Sequence, residues 1–374
     1  MEAAMTIRRS RLLVAVGAFL ATSLVAALVS THDHAQAGPA SPPPAGHVFV
    51  INLENKGFAE TWGPGSEAPY LARTLRHQGN LLTQYYGTAH NSLGNYIAQI
   101  SGQGPNPRTQ NDCQTYTRFT QVGTAAPGQA VGQGCVYPTS VPTLAGQLSA
   151  SGRTWKGYMG DMGTPCRHPS IGAPDDTQKA RPGDQYAARH NPFVYFDSIT
   201  SSPSCSANDV DLSGLSQDLE QARTTPNLSY ITPNLCDDAH DAPCVDGRPG
   251  GLASADAWLR TWVPKITASP AFQQDGMLII TFDESDGPEE DSTACCGEGP
   301  GPNTPAPGIT GPGGGRTGAL VLSKFAKPNT SSNTAYNHYS LLASVENLFQ
   351  LPHLGYANSP QVPAFGPDVS NTHR

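Results

Sequence analysis

The sequence lacks the features typical of membrane proteins and of proteins that bind nucleic acid. After residue 29, no run of the 374-residue chain is long and apolar enough to span a bilayer. The formal net charge is −8 and no basic run is present, so we expect no nucleic-acid partner held by electrostatic attraction. No internal repeat is visible. No Cys-x-x-Cys pair occurs, which disfavours a zinc site built from cysteines.

The N-terminal segment has the composition of an export signal. Arg8, Arg9 and Arg11 precede an apolar stretch at 12–29, and Ala35-Gln-Ala37 supplies a small-x-small cleavage pattern. We therefore predict a signal peptide over 1–37, cleavage after Ala37, and a secreted, extracellular protein with no stable membrane insertion. An uncleaved anchor is the alternative, because the apolar stretch approaches the shortest spanning length. Residues 38–46 are proline-rich and predict a linker.

An even number of cysteines follows this signal, which indicates disulfides formed in an oxidising compartment. Spacing alone cannot fix their connectivity, but the local pairs Cys113–Cys135 and Cys236–Cys244 are the most direct prediction. The other four cysteines are Cys166, Cys205, Cys295 and Cys296.

Apolar, β-branched runs alternate with helix-like stretches along the chain. This alternation predicts an α/β fold with a central, largely parallel sheet flanked by helices. Abundant Gly (39) and Pro (34) predict long loops. We expect disulfides formed by its two cysteines to restrain the loop at 287–316. We assign one domain to 47–358 and a C-terminal tail to 359–374. The predicted strands are 47–53, 154–159, 228–232, 277–282 and 319–322, and the predicted helices are 70–78, 96–100, 141–149, 254–262 and 339–349.

Polar side chains follow four of the predicted strands. In open α/β sheets, ligands bind at the carboxyl ends of the strands, so chemistry is expected just after Leu53, Met159, Thr232 and Phe282. This clustering favours an enzyme over a binding module. The residues at these four points are Glu54-Asn55, Asp161, Asn234 with Asp237, Asp238 and His240, and Asp283-Glu284-Ser285-Asp286.

The paired acids Asp283-Glu284 are the clearest sign of a metal. Adjacent carboxylates at the end of a buried strand repel each other unless a cation or a proton compensates. Oxygen ligands suit calcium, magnesium, manganese or iron. The alternative is that the two acids point to opposite sides and one of them caps a turn. Glu54-Asn55 could likewise ligate a cation and donate to a phosphoryl oxygen, or Asn55 could cap a helix.

Ser92 lies where a polar stretch enters an apparent helix. A helix N-terminus favours a phosphoryl group, and a metal could activate the serine hydroxyl as a nucleophile. The alternative is an ordinary N-cap serine. Asp238-Ala-His240 places a carboxylate and an imidazole on one short loop, where the histidine could ligate metal or protonate a leaving oxygen.

Several segments together resemble the bacterial phosphoesterase family of secreted acid phosphatases and non-specific phospholipases C, within the alkaline-phosphatase superfamily. The resemblance covers about residues 46–358, and its strength lies in the order of the segments. They are Val50-Ile-Asn-Leu-Glu54-Asn55, His90-Asn-Ser92-Leu-Gly-Asn95-Tyr96, Arg189-His190-Asn-Pro, Pro233-Asn234 through Asp238-Ala-His240-Asp241, Thr281-Phe-Asp283-Glu284-x-Asp286-Gly287 and Asn337-His338 through Glu346.

The resemblance implies an alkaline-phosphatase-like fold, a divalent metal (Ca, Mg, Mn, Fe or Zn) and a nucleophilic serine. Ser92 would attack phosphorus and also bind the metal. The implied substrate is a small phosphate ester, with a phospholipid headgroup as the alternative. Asn55, Asn95 and Asn234 are candidate substrate contacts. The implied metal ligands are Glu54, Asn55, Ser92, Asp238, Asp283 and Glu284, and the implied catalytic histidines are His90, His190, His240 and His338.

Three departures from the family pattern refine this expectation. Lys56 replaces an arginine, which keeps the charge but loses bidentate geometry. Asn91 and Gly94 replace two prolines around the serine. The segment after Gly287 lacks the Asp-His-Val-Pro-Pro run typical of the phospholipase C branch. The sequence therefore predicts a phosphomonoesterase that works through a phosphoserine intermediate, with a phospholipase C-type diesterase as the alternative.

Overall fold

A central eight-stranded sheet organises the part of the chain that the computed structural model describes, residues 45–370. Its strands follow the order β10-β2-β9-β8-β1-β7-β5-β6, and β3 pairs with β4 in a separate two-stranded sheet. The strands are β1 (His47–Leu53), β2 (Asn80–Tyr86), β3 (Thr120–Ala125), β4 (Gln129–Gln133), β5 (Trp155–Met159), β6 (Asp209–Asp211), β7 (Leu228–Thr232), β8 (Gly276–Phe282), β9 (Ala319–Ser323) and β10 (Thr330–Asn337).

Strand direction brings the candidate residues to one edge of the sheet. β9 runs antiparallel to both of its neighbours, whereas the other neighbouring strands pair in parallel. The carboxyl ends of β1, β7, β8, β2 and β10 therefore lie at the same edge. Leu53 pairs with Phe282 in the register of β1 and β8. The residues that follow these strands can thus meet although they are far apart in sequence.

Helices cover both faces of the sheet. α2 and α9 pack on one face and α7 on the other. Helix-like turns at Tyr70–Leu75 (π) and Arg76–Gln78 (3-10) precede β2. The α-helices are α1 (Phe58–Trp62), α2 (Ser92–Ser101), α3 (Leu144–Ala150), α4 (Asp197–Thr200), α5 (Ser204–Asn208), α6 (Leu215–Asp218), α7 (Gly251–Ala268), α8 (Pro270–Asp275) and α9 (His338–Leu348). Further 3-10 turns are Thr109–Asn111, Ala188–His190, Pro192–Tyr195, Leu212–Gly214 and Gly355–Asn358.

The central strands are apolar because both of their faces are buried. In β1, Val48 and Val50 pack into the core under α2 and α9, while Phe49, Ile51 and Leu53 pack into the core under α7. All seven residues of β1 and of β8 are buried. A strand covered on both sides needs a continuous apolar run, which is the pattern that identified these strands in the sequence.

The predicted α/β class with a mostly parallel sheet is confirmed, but the list of elements needs correction. β2, β3, β4, β6 and β10 were not predicted, and β9 is antiparallel. The helix predicted over 96–100 begins at Ser92, the one over 254–262 extends over 251–268, and the stretch at 70–78 is a π turn followed by a 3-10 turn.

All eight cysteines form disulfides. The predicted pairs Cys113–Cys135 and Cys236–Cys244 are both present, and Cys166–Cys205 and Cys295–Cys296 complete the set. The last bridge joins neighbouring residues in the loop at 287–316. This bridge closes only a small ring and does not tie the loop to another segment, so the disulfide staple expected for this loop is not formed.

Both ends of the described region pack onto the domain. Ala45, in the segment expected to be a linker, is buried, and so are Phe365 and Val369, in the segment expected to be a tail. The predicted signal peptide and its cleavage site lie outside the described residues. Within residues 45–370, no helix has both the length and the apolar character needed to cross a membrane.

Candidate active site

Glu54 lies at the centre of a buried polar cluster beyond the end of β1. Its Oε2 accepts a hydrogen bond of 2.8 Å from the Ser92 hydroxyl, and its Oε1 accepts one from the Tyr96 hydroxyl. Its backbone N–H donates to the Asp238 carbonyl at 2.8 Å, which ties the end of β1 to the loop after β7. Glu54, predicted to lie at the carboxyl end of a strand, thus contacts the candidate nucleophile Ser92.

Asp283 and Glu284 join this cluster from the end of β8. Asp283 Oδ1 accepts hydrogen bonds from the backbone N–H groups of Asn55 (3.0 Å) and Glu284 (2.7 Å). Asn55 adopts φ 46°, a left-handed conformation that asparagine tolerates better than most residues. Glu284 Oε1 lies 3.5 Å from the Ser92 hydroxyl. Both acids are buried in one cluster, so the alternative that they point to opposite sides is wrong.

His190 lies between two carboxylates. Its Nε2 is 3.4 Å from Glu54 Oε2, and its Nδ1 is 3.2 Å from Asp238 Oδ2. Its ring stacks on Tyr96 with a centroid distance of 5.3 Å and an interplanar angle of 5°. Burial lowers the pKa of His190 well below its usual value, and Arg189 lowers it further. A neutral imidazole between two carboxylates has the chemistry of a metal ligand.

His90 approaches the cluster from the loop before α2. Its Nε2 lies 3.1 Å from the Asp291 carbonyl and donates to it, and its Nδ1 faces Glu284 Oε2. With Nε2 protonated, a neutral His90 presents a lone pair at Nδ1 to this carboxylate. Two acceptors face each other in that arrangement, so a proton or a cation between them would stabilise it.

The electrostatics of the cluster call for a cation. Glu54, Asp238, Asp283 and Glu284 are all at most 1% exposed. Burial raises the pKa of Glu54 and of Asp238 well above the ordinary range, and it raises the pKa of Asp283 to about 7. Coulombic repulsion between the carboxylates adds to the shift at Glu54. Such a group of acids can stay ionised only with a compensating positive charge.

Several buried atoms in the cluster that could bind a metal have no hydrogen-bond partner, and this arrangement fits a divalent cation. Buried polar atoms normally find hydrogen-bond partners, yet five atoms here have none within the described chain. Ligand atoms of Glu54, His190 and Asp238 lie within 4.8 Å of one another. Carboxylate, amide and imidazole ligands are compatible with each of the metals expected from the sequence and do not choose among them. The five atoms are Asn55 Oδ1, His190 Nδ1, His190 Nε2, Asp238 Oδ2 and Asp283 Oδ2.

Ser92 is the first residue of α2, and its hydroxyl faces the carboxylates. Asn91 occupies the N-cap position, so the alternative that Ser92 is the cap is wrong. Similarly, Gly57 precedes α1 as its N-cap, which excludes a cap role for Asn55 there. The loop before Ser92 passes close to β8: a Cβ at Gly87 would lie 2.6 Å from the Asp283 carbonyl oxygen. Glycine permits this close approach.

His240 lies on the more exposed side of the site, and the buried Arg189 lies beside it. His240 Nδ1 lies 2.8 Å from Asp241 Oδ1, and its side chain is 32% exposed. The Arg189 guanidinium lies 3.2 Å from His240 Nε2 and 3.8 Å from Asp112 Oδ2. Asp112 in turn accepts a hydrogen bond from the Leu93 N–H at the start of α2. A permanent positive charge therefore lies next to the histidine that solvent can reach.

His338 is held behind the cluster by hydrogen bonds. Its Nδ1 lies 3.0 Å from the Tyr85 hydroxyl and 3.1 Å from Gln99 Nε2, both of which can donate to it. Its Nε2 donates to the Asp283 carbonyl. Burial lowers the pKa of His338 to about 4. Both ring nitrogens are thus engaged, and the ring supports the backbone of Asp283.

Two of the candidate substrate contacts have their amides engaged locally. Asn95 Oδ1 accepts from the backbone N–H groups of Thr88 and Ala89, and its Nδ2 donates to the Ala89 carbonyl, so it braces the loop before Ser92. Asn234 Oδ1 accepts from two backbone N–H groups of its own turn, and its Nδ2 donates to Asp161. Asp161, expected at the end of β5, is exposed and does not join the carboxylates.

Sequence reasoning assigned no role to Tyr96, Arg189 or Asp112. Tyr96 and Arg189 stood inside quoted segments, one four residues after Ser92 and the other directly before His190. Their positions could have suggested a role. Asp112 had no such signal, because only the folded chain brings the Thr109–Asn111 turn against α2.

Comparison with known protein families identifies the family of this chain. The Phosphoesterase family matches residues 64–352, which is more than half of the chain. The chain belongs to this family. The resemblance inferred from the ordered segments is therefore confirmed.

Curated relatives of this chain carry phosphatase names. A phosphatidylinositol-3-phosphatase of Mycobacterium tuberculosis is 24% identical, covering 93% of this chain and 92% of that protein. An acid phosphatase of Aspergillus fumigatus is 25% identical over 82% of this chain, and a probable acid phosphatase of Kluyveromyces lactis is 24% identical over 86%. The chain spans only 55% and 63% of the length of these two fungal proteins.

Solved structures resemble the chain at the level of the fold. The structure of Ps i-CgsB aligns with a TM-score of 0.50 and 11% identity, covering 89% of this chain and 77% of that one. A protein in the alkaline phosphatase superfamily from Vibrio parahaemolyticus aligns with a TM-score of 0.49 and 13% identity, covering 84% and 68%.

Proposed function

We propose that this protein is a secreted, metal-dependent phosphomonoesterase of the acid-phosphatase type. The observation that carries the proposal is the hydroxyl of Ser92, held 2.8 Å from Glu54 Oε2 among four buried carboxylates. Family membership and the names of the relatives support phosphate-ester chemistry. Four disulfides support an oxidising, extracellular location.

In this proposal, the buried side chains that would bind the metal form two adjoining groups. Glu54, Asp283, Glu284 and Ser92 would form one group, with the amide oxygen of Asn55 beside them. His190 and Asp238 would form the other group together with Glu54. The bound metal would polarise the phosphoryl oxygens and favour the ionised form of the Ser92 hydroxyl.

The reaction proceeds in two displacements. Ser92 Oγ gives its proton to Glu54 Oε2 and attacks phosphorus, while the bond from phosphorus to the alcohol oxygen of the ester breaks. His240, the solvent-accessible histidine, donates a proton to the leaving oxygen and releases the alcohol. Water then attacks the phosphoserine and gives its proton to His240, while the bond from phosphorus to Ser92 Oγ breaks. Glu54 returns its proton to Ser92 Oγ, and inorganic phosphate is released.

The remaining side chains position these groups. Arg189 supplies the positive charge that holds the phosphoryl oxygens, because its buried guanidinium lies beside His240. His338 fixes the Asp283 backbone, His90 orients Glu284, and Asn95 braces the loop before Ser92. Asn234 shapes the turn that carries Asp238 and His240.

One relative favours a second candidate substrate. The mycobacterial phosphatidylinositol-3-phosphatase is matched over 92% of its length, whereas the fungal acid phosphatases are covered less fully. A phosphomonoester on a phospholipid headgroup is therefore the alternative to a small soluble ester. A phospholipase C-type diesterase has less support, because the named relatives are phosphatases.

A substrate panel tests the proposal. We expect the purified protein to hydrolyse p-nitrophenyl phosphate and to show little activity on bis-p-nitrophenyl phosphate or phosphatidylcholine. Ser92→Ala should lower kcat on the order of 10³-fold or more, because the covalent step is lost. Ser101→Ala, at the other end of α2, should retain the rate. Faster hydrolysis of a diester than of p-nitrophenyl phosphate would contradict the assignment as a phosphomonoesterase. Full activity in Ser92→Ala would contradict the assignment of Ser92 as the nucleophile.

A further inference from the structure

Tyr96 lies one helical turn after Ser92 on α2, and its side chain is fully buried. Residues four positions apart lie on the same face of a helix, so the two hydroxyls can reach the same carboxylate. Tyr96 donates to Glu54 Oε1, and Ser92 donates to Glu54 Oε2 at 2.8 Å. The two oxygens of Glu54 therefore have different partners, and Oε2 is the one that faces His190, at 3.4 Å.

The phenol ring of Tyr96 also contacts His190. The two rings stack with their centroids 5.3 Å apart and their planes 5° from parallel. Within the described chain, neither ring nitrogen of His190 has a hydrogen-bond partner that would fix the plane of the imidazole. A metal-binding histidine is ordinarily oriented by a hydrogen bond at its second ring nitrogen. The stacked ring of Tyr96 therefore restricts the tilt of this imidazole where no hydrogen bond does.

Tyr96 is itself held in place by the sheet. The ring of Tyr230, on β7, meets that of Tyr96 at an interplanar angle of 62°, with the centroids 6.4 Å apart. The Tyr230 hydroxyl donates to Gln99 Oε1 on α2 at 2.8 Å, which joins the helix to the sheet beside Tyr96. A hydroxyl that donates to a carboxylate forms a stronger hydrogen bond than one between neutral groups. One well-packed side chain thus contacts both groups of proposed metal-binding side chains.

We propose that Tyr96 is a positioning residue for the metal site. Its hydroxyl holds Glu54 in the orientation that presents Oε2 to Ser92, and its ring sets the plane of His190. This inference rests on the proposed metal-dependent function and concerns how the metal-binding side chains are ordered. A role in core packing alone would make the hydroxyl dispensable for metal binding, because phenylalanine fills nearly the same volume.

Metal affinity tests this role without any measurement of hydrolysis. The full protein is freed of metal by chelation, and Ca²⁺, Mg²⁺, Mn²⁺, Fe²⁺ and Zn²⁺ are titrated into it in turn by calorimetry. The ion that the wild type binds most tightly is then titrated into Tyr96→Phe, which keeps the ring and loses the hydroxyl. We expect the Kd of this variant to be higher by about tenfold or more, because the side chains that orient metal ligands contribute on this scale.

Tyr137→Phe is the matched control. Tyr137 is also fully buried, and its hydroxyl pairs with Asn106 instead of a carboxylate. Its Kd for the same ion should equal that of the wild type. Equal weakening in Tyr137→Phe and Tyr96→Phe would show a general effect of losing a buried hydroxyl and would overturn the assignment.

Tyr96→Leu removes the ring as well as the hydroxyl. We expect its Kd to exceed that of Tyr96→Phe, and it provides the test if Tyr96→Phe does not fold, with folding checked by circular dichroism. A wild-type Kd in a folded Tyr96→Phe would overturn the role of the hydroxyl, and equal Kd values in the two variants would overturn the role of the ring. A wild type that binds none of the five ions would contradict the proposed function as well, whereas the other contrary results leave that function standing.

Discussion

Glu54 belongs to both groups of proposed metal-binding side chains in the candidate site. One of its oxygens accepts from Tyr96, and the other lies near both Ser92 and His190. A single carboxylate thus contacts the proposed nucleophile and a proposed metal ligand. This position explains why a glutamate stands at the end of a strand that is otherwise apolar.

Arg189 gives a prediction about phosphate binding. Replacement by methionine removes the positive charge beside His240, so we expect kcat/KM for p-nitrophenyl phosphate to fall about 10²-fold. Arg189→Lys should recover part of the loss, because it keeps the charge but not the planar guanidinium. Steady-state kinetics measure both effects.

Arg181 provides the control for this experiment. Its side chain is 54% exposed and pairs with Asp176 at the surface. Arg181→Met should leave kcat/KM unchanged. Equal loss of activity in Arg181→Met and Arg189→Met would show that net charge, and not the position of Arg189, accounts for the effect.

At the scale of elements, burial decided which strands could be predicted. β1 and β8 are buried on both faces, and their continuous apolar runs identified them. β10 forms an edge of the sheet and contains exposed, half-buried and buried residues, and its sequence Thr-Ser-Ser-Asn-Thr-Ala-Tyr-Asn has no apolar run. β2 was missed for the related reason that its second half carries polar, half-buried residues.

The site residues that could be predicted from sequence are those that follow predictable strands. Glu54, Asp238 and Asp283 follow predicted strands, so the strand-end rule brought them together from sequence alone. Ser92 and His338 follow β2 and β10, which were missed, so the strand-end rule did not include them. The start of an apparent helix suggested Ser92, and the family resemblance indicated both residues. The Arg189–His240 contact joins two loops and could not have been predicted from any local pattern.

Helix α9 gives a prediction about stability and pH. Glu346 is fully buried, and burial raises its pKa to about 9, although its Oε1 accepts from the Leu354 N–H. The folded state therefore keeps the carboxyl group protonated at pH values where the unfolded chain ionises it. This contribution to stability is present below about pH 4.5 and is lost as pH rises toward 9. Its slope is at most about 1.4 kcal/mol per pH unit.

Denaturant unfolding across this range tests the prediction. Glu346→Gln cannot ionise, so its free energy of unfolding should fall less steeply between about pH 5 and about pH 7 than that of the wild type. Glu67→Gln, which changes an exposed glutamate, should follow the wild type. Identical slopes in Glu346→Gln and wild type would show that Glu346 does not make this contribution.

At the scale of the whole molecule, the last described residues belong to the folded unit. Phe365 is 2% exposed, and its ring lies 5.0 Å from that of Tyr336 on β10. Asp368 accepts hydrogen bonds from Thr334 and Tyr336. No sequence pattern indicated this packing, because 359–370 has no periodic apolar pattern. Edge strand β10 is therefore covered by a segment expected to be a tail.

Removing this contact should destabilise the protein. We expect Phe365→Ala to lower the free energy of unfolding by about 3–5 kcal/mol, because it removes a buried aromatic ring and leaves a cavity. Chemical denaturation measures the change. Val122→Ala, at a side chain that is 77% exposed, should have no appreciable effect. An unfolding midpoint for Phe365→Ala equal to that of the wild type would place the domain boundary before this segment.

We propose that the buried carboxylates hold a divalent cation on which phosphate-ester hydrolysis depends. The most direct test measures p-nitrophenyl phosphate hydrolysis and metal content together, before chelation, after chelation and after each candidate metal is returned. We predict bound divalent metal in the active protein, loss of both metal and rate on chelation, and recovery of both with the correct ion. An undiminished rate in protein shown to be free of metal would contradict the account.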